Sequence, residues 1–321
     1  MNDLIQNVMH QNGISWSKDC IYVGNRPILS EEAIIRARLN WEVKKTELYH
    51  VPMGESFFNI VPKHKAIVRQ SDYKVLGIVG NQYHPIQNKE AFKFMDTLVE
   101  EGLMEYHTVG SLQDGKRVWI LGKIGNFEVV NGDQIDEFIF LWNSHDGSSS
   151  LRCLPTAIRI VCANAVQTIF KRGRGTGVRI KHTAGAVLNL EAAKEVLIES
   201  SKSLKEFKEF TKLASNLQMN TSKINQFVEN IFPMPSEDVS TIYVDKVREK
   251  FNQLMEEGLG TDIPGVQGTG WGVFNAVTEY TNHYKRSRGN NQQERRFESV
   301  LLGESANIIN RAVKEITKMA I

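Results

Sequence analysis

Cysteine is scarce. Cys20, Cys153 and Cys162 are odd in number and share no C-x-x-C spacing, which argues against a disulfide framework and a structural zinc site and leaves buried free thiols. No stretch of about 18 apolar residues occurs, and the opening MNDLIQNVMHQNGISWSKD lacks the basic and then apolar pattern of a secretory signal. A cytoplasmic protein without a membrane partner is expected. No G-x-S-x-G elbow is present. The G-T-G-W-G at 268–272 lacks the following Lys-Ser/Thr and preceding strand of a phosphate loop, and reads as a turn that starts a helix. There is no internal repeat, no low-complexity tract, and a net charge of only plus 2.

What is present is an ordinary globular composition, 41% apolar and 24% charged over 321 residues, which argues against extensive disorder. Residues 20–24 read as a short strand, and EEAIIRARLN after Ser30 as a helix with carboxylates in its first turn. AIVRQ and KVLGIV form a hairpin pattern, after which Asn88 is placed to cap the helix KEAFKFMDTLVEEG. MEYHTVGSL, KRVWILGKIG and DEFIFLWNS follow as an antiparallel meander whose first turn carries Asp114-Gly115. In TAIRIVCANAVQTIF the apolar residues Ile158, Val161, Cys162, Ala165, Val166 and Ile169 recur at helical spacing, which predicts a helix there. VRIKHT returns as a strand, and from Leu190 a loose heptad predicts one long amphipathic helix, followed by further helices to the end. The expected fold is α+β: an antiparallel sheet packed on helices over 1–185, then a helical domain over 186–321.

Charge is unevenly spread. Between Asp146 and Gly185 seven bases, Arg152, Arg159, Lys171, Arg172, Arg174, Arg179 and Lys181, stand against one acid, a local plus 6 that leaves the rest of the chain net acidic. Such a segment suits a phosphate backbone, and Trp119 and Trp142 on the strands before it would supply stacking for bases. The bland alternatives are a solvated loop and core tryptophans. A second basic run, Lys285, Arg286, Arg288, Arg295 and Arg296, reads as a solvated loop. His145 and Asp146, with His84, His107 and His182 elsewhere, lack the spacing of a metal site, so neither metal nor cofactor is expected.

The blocks LGIVGNQYHPIQNKEAF, GSLQDGKRVWILGKI, LWNSHDGSSSLRCLPTAIRIVCANAV and WGVFNAVTEYTNH resemble the phage/plasmid-like proteins of a bacterial family of unknown function. That resemblance implies a phage, prophage or plasmid gene but supplies no catalytic residues. The strand, strand, strand, helix order with basic residues after it is also similar to single-strand annealing recombinases, a likeness that implies oligomeric rings or filaments. The expected function is therefore DNA binding, with single-stranded DNA as partner, a homo-oligomeric state and no nucleotide consumed. The alternative is a protein that blocks a host defence or replication component, docking through the long helix from Leu190. A metal-dependent nuclease using His145 is a third.

Overall fold

The computed structural model describes residues 19–24, 26–54, 56–167, 178–186, 188, 190–235, 241–287, 289 and 291–321. Among these, the architecture is α+β and every strand pair is antiparallel. The main sheet contains β1 (Asp19–Tyr22), β5 (Glu105–Leu112), β6 (Arg117–Glu128), β7 (Gln134–Ser144), β8 (Leu151–Arg159) and β10 (Val178–Ile180), side by side in that order. A short strand, β9 (Asn164–Gln167), shares the outer edge of β8 with β10. A second sheet is formed by β2 (Val43–His50), β3 (Asn59–Arg69) and β4 (Val75–Gly80). The hairpin and meander expected from the sequence are both present, and Gln113, Asp114 and Gly115 make the β5–β6 turn with positive φ at all three.

Both faces of the main sheet are covered. On one face Val109, Val118, Ile120, Ile139, Leu141, Leu151 and Cys153 pack against α1 (Ser30–Arg36), α2 (Asn88–Lys93), α3 (Asp96–Glu100) and the first turns of α4 (Leu190–Asn216). On the other, Trp119, Leu121, Phe138, Phe140, Trp142, Leu154 and Ile158 meet the rest of α4 and the later helices. These are α5 (Thr221–Ile231), α6 (Ile242–Glu257), α7 (Gly270–Glu279), α8 (Gln292–Leu302) and α9 (Glu304–Ala320). Helix α4 thus contributes Ala193 and Val196 to one core and Leu204, Phe207 and Ala214 to the other. At about 1.5 Å per residue it is long enough to pass from one layer to the next. Strands and C-terminal helices share one apolar cluster, because neither could bury its apolar side alone.

The helix expected over 156–170 is absent from its described part, 156–167, and residues 168–170 lie outside the described residues. β8 runs through Arg159, Ala163 turns the chain with φ 52, and β9 returns along β8. The reason is two-sided burial: a strand covered on both faces is apolar at nearly every position, so residues three and four apart are apolar without any helix. β-branching in Thr156 and Ile158 favours the strand. The helix after Pro85 also differs from expectation. Gln87, in a capping box with Glu90, is its N-cap rather than Asn88, and the helix ends at Lys93 before α3 begins. Thr269 does cap α7, accepting from the Gly272 N–H at 3.2 Å, as the turn reading of 268–272 required.

The two layers are fastened by Asp133, which is fully buried between β6 and β7. Its Oδ1 accepts from Arg159 Nε at 2.7 Å and its Oδ2 from Trp271 Nε1 of α7 at 2.7 Å. The Arg159 guanidinium also donates to the carbonyls of Leu259 (2.8 Å) and Gly260 (3.1 Å). Removing one partner of such a group leaves an uncompensated buried charge, which costs about 3–5 kcal/mol. Asp133→Ala is expected to lower unfolding stability by that order in a urea titration, and Asp133→Asn by less; a loss below about 1 kcal/mol would show that the pair holds nothing together.

Candidate nucleic-acid interface

Strand register brings four of the residues singled out by sequence into one line. Trp119 on β6 lies opposite Trp142 on β7, Trp142 opposite Arg152 on β8, and Arg152 opposite Arg179 on β10. Burial falls along the line: both tryptophans are fully buried, Arg152 is half-buried and Arg179 is exposed. Trp119 packs against Phe297 of α8 (ring centroids 5.4 Å), and Trp142 donates through Nε1 to Ser149 Oγ at 3.0 Å. Neither ring offers a face to a base, which corrects the stacking role expected for them. Arg159 is likewise corrected: at 3% exposure and bound to Asp133 it cannot reach a phosphate. Lys181 follows β10 directly and is exposed. Lys171, Arg172 and Arg174 lie outside the described residues. The anchors of that segment are defined, however, with Gln167 opposite Thr156 and Val178 opposite Cys153 on one edge of β8.

Arg152 and Arg179 are the unusual pair. They are cross-strand neighbours of like charge, and among the described residues neither meets a carboxylate. Arg179 Nε donates to Ser150 Oγ at 3.4 Å, and among the described residues Arg152 Nε is buried without a partner. Burial, and then the charge of Arg179, push Arg152 below its ordinary value. Like charges directly opposite on a sheet destabilise it, so the arrangement favours an anion between them. Arg117, on the same sheet face as the tryptophans, shows the contrast: it is neutralised by Asp146 (3.2 Å) and Glu298 (3.0 Å) and lies over the Trp142 ring. In the second basic run, Lys285 is part-buried and pairs with Glu304, Arg286 and Arg295 are exposed, the latter on α8, and Arg288 lies outside the described residues. Arg296, by contrast, is part-buried, with Nε lacking a partner.

Sequence reasoning missed a second polar cluster beside this edge. The Tyr83 to Asn88 block and the Asn143 to Ser148 block lie against each other: Tyr83 OH donates to the Ser144 carbonyl (2.7 Å), and Asn143 Nδ2 to that of Ile86 (2.9 Å). Asn88 gives its Nδ2–H to the Leu39 carbonyl, so its Oδ1 accepts from His145 Nε2 at 2.7 Å. By the same logic Asn143 Oδ1 accepts from His182 Nε2 at 2.8 Å, and Tyr83 stacks on the His182 ring. Both blocks carried the sequence likeness, but only folding shows that they touch. No group of three or more His, Cys, Asp or Glu among the described residues could hold a metal ion. No helix among them is long and apolar enough to cross a membrane.

The sequence pattern of the family described as Domain of unknown function (DUF932) matches residues 75–301, from β4 to the last turn of α8. This chain belongs to the DUF932 family. Within the DUF932 match lie the main sheet from β5 onward, both polar blocks and the Arg152–Arg179 edge. UPF0380 protein YafZ of Escherichia coli (strain K12) is 27% identical over 154 residues, which cover 43% of this DUF932 chain and 54% of YafZ. The chain thus spans about half the length of that curated relative. No solved structure matches it.

Burial holds His145 down to about 3 and His107, His182 and His283 to about 4, against an ordinary 6.5. The folded DUF932 chain keeps all four neutral, whereas the unfolded chain protonates them below 6.5. Their contribution is therefore complete above pH 6.5 and is lost as pH falls toward 4, by about 1.4 kcal/mol per histidine per unit. Burial raises Asp136, Glu137, Glu279 and Glu298, whose contribution is present in acid and lost as pH rises through their folded values. Those carboxylates work against the histidines as pH falls. Between pH 7 and 5.5 the urea midpoint is expected to drop, the four histidines alone contributing a loss on the order of 5 kcal/mol, and a flat profile in a variant with the four carboxylates replaced by their amides would contradict neutral burial.

Proposed function

We propose that this chain binds nucleic acid, single-stranded DNA in the first instance, along the outer edge of the main sheet. The observation that carries the reading is the Arg152–Arg179 pair, two cations set side by side with no carboxylate partner among the described residues, near the anchors of a segment whose sequence holds Lys171, Arg172 and Arg174. Phosphates are the counter-charge that such a line accepts, each contact adding affinity by releasing bound salt ions. Arg152, Arg179 and Lys181 hold the backbone together with that segment, and no nucleotide is hydrolysed. In this reading the protein serves a phage, prophage or plasmid in strand annealing and works as a homo-oligomer. The host-blocking alternative finds less support, since the apolar stripe of α4 is already covered by the chain's own sheet.

Binding of a labelled oligothymidylate at several salt concentrations tests this. Arg152→Gln with Arg179→Glu is expected to weaken binding and to flatten the salt slope by about 1.4, two contacts at roughly 0.7 each for a single strand. Charge reversal at Lys171, Arg172 and Arg174 is expected to flatten it by about 2. Unchanged affinity and slope in both variants, with the urea midpoint of the wild type retained, would overturn the proposal.

A further inference from the structure

With Trp119 and Trp142 buried, exposed aromatic side chains cluster on the small sheet and its turns, at Tyr49, Phe57, Phe58 and Tyr73, with Tyr243 and Tyr284 exposed on the C-terminal helices. β4 pairs with β3 only from His64 to Val68, whereas β2 and β3 continue past it, with Tyr49 opposite Ile60 and His50 opposite Asn59. The small sheet therefore ends in a two-stranded ribbon. Its outer end exposes Tyr49, Val51, Met53, Phe57, Phe58 and Ile60, with Phe58 at 71% and Met53 fully open. An isolated ribbon gains nothing from exposing six large apolar groups to water, at about 25 cal/mol per Å².

The charge on its stem says what covers them. Lys65 is neutralised by Glu47, and Lys45 is tied to the carbonyls of Asn81 and Tyr83. Lys44 and Lys63 are exposed and meet no carboxylate among the described residues. Cations with aromatic rings beyond them are the composition on which single-stranded bases stack while phosphates are held. The ribbon also belongs to the Arg152–Arg179 end of the main sheet. Arg69 of β3 donates to the Asp114 carbonyl at the β5–β6 turn, and Tyr83 holds Ser144 at the start of the β7–β8 turn.

We propose that the β2–β3 ribbon is a base-stacking arm for single-stranded nucleic acid, with Phe57 and Phe58 as platforms and Lys44 and Lys63 on the phosphates. This rests on the reading of the sheet edge as a nucleic-acid interface. The test uses the whole chain with an oligothymidylate and with a single strand carrying a fluorescent base analogue that dims on stacking. Phe57→Ala with Phe58→Ala is expected to weaken binding at least ~10-fold and to abolish the dimming while leaving the salt slope unchanged, because no cation is lost. Phe57→Trp with Phe58→Trp is expected to restore both. Lys44→Ala with Lys63→Ala is expected to flatten the slope by about 1.4. If the alanine pair binds like wild type while the Arg152 and Arg179 variant does not, the arm is refuted and the sheet edge stands. An alanine pair with wild-type binding but a lower sedimenting mass assigns the tip to a second copy instead. Failure of the wild type to bind any single strand overturns the underlying reading itself.

Discussion

A sheet covered on both faces is the constraint from which the rest follows. Over most of their length β6, β7 and β8 have helices above and below, so each buried side chain must be apolar or carry its own polar partner into the core. Arg159 meets that demand through Asp133 and two carbonyls, and Arg117 through two carboxylates. Arg152 does not meet it: its Nε is buried without a partner among the described residues, and its cross-strand neighbour on the edge strand β10 is another cation, Arg179.

The same constraint ties the small sheet to the large one. Gly77 of β4 lies so near the β7–β8 turn that a Cβ there would come within 2.4 Å of Asp146 Cα, so any larger residue would force the two apart. The Tyr83, Asn88, Asn143 and His145 hydrogen bonds then fix the contact. The outer end of β2 and β3 and the cations of β8 and β10 are thereby joined through one polar junction. If both act on one strand as proposed, such a joint would lower the ordering cost of binding.

The histidines in that junction work as neutral hydrogen-bond donors. With His145 held near 3 and His182 near 4, each ring carries one proton, on the nitrogen that faces an asparagine oxygen. A His-Asp dipeptide that might suggest metal or acid-base chemistry in sequence is in the fold a structural donor, with Asp146 turned toward Arg117 and Ser144.

Local chemistry alone determined much of the fold. The Asp114-Gly115 turn, the hairpin at 66–80, the strand at 178–180, the long helix from Leu190 and the Thr269 helix start were all legible, because each depends on neighbours in sequence. Folding decided the rest. Whether 156–167 is helix or hairpin, whether Trp119 and Trp142 are core or platform, and whether Arg159 is paired or free depend on what covers each face, and covering residues lie a hundred or more positions away, as Leu259, Trp271 and Phe297 do. Apolar spacing records that a residue is buried but not by which neighbour, and basic composition records charge but not the carboxylate that cancels it.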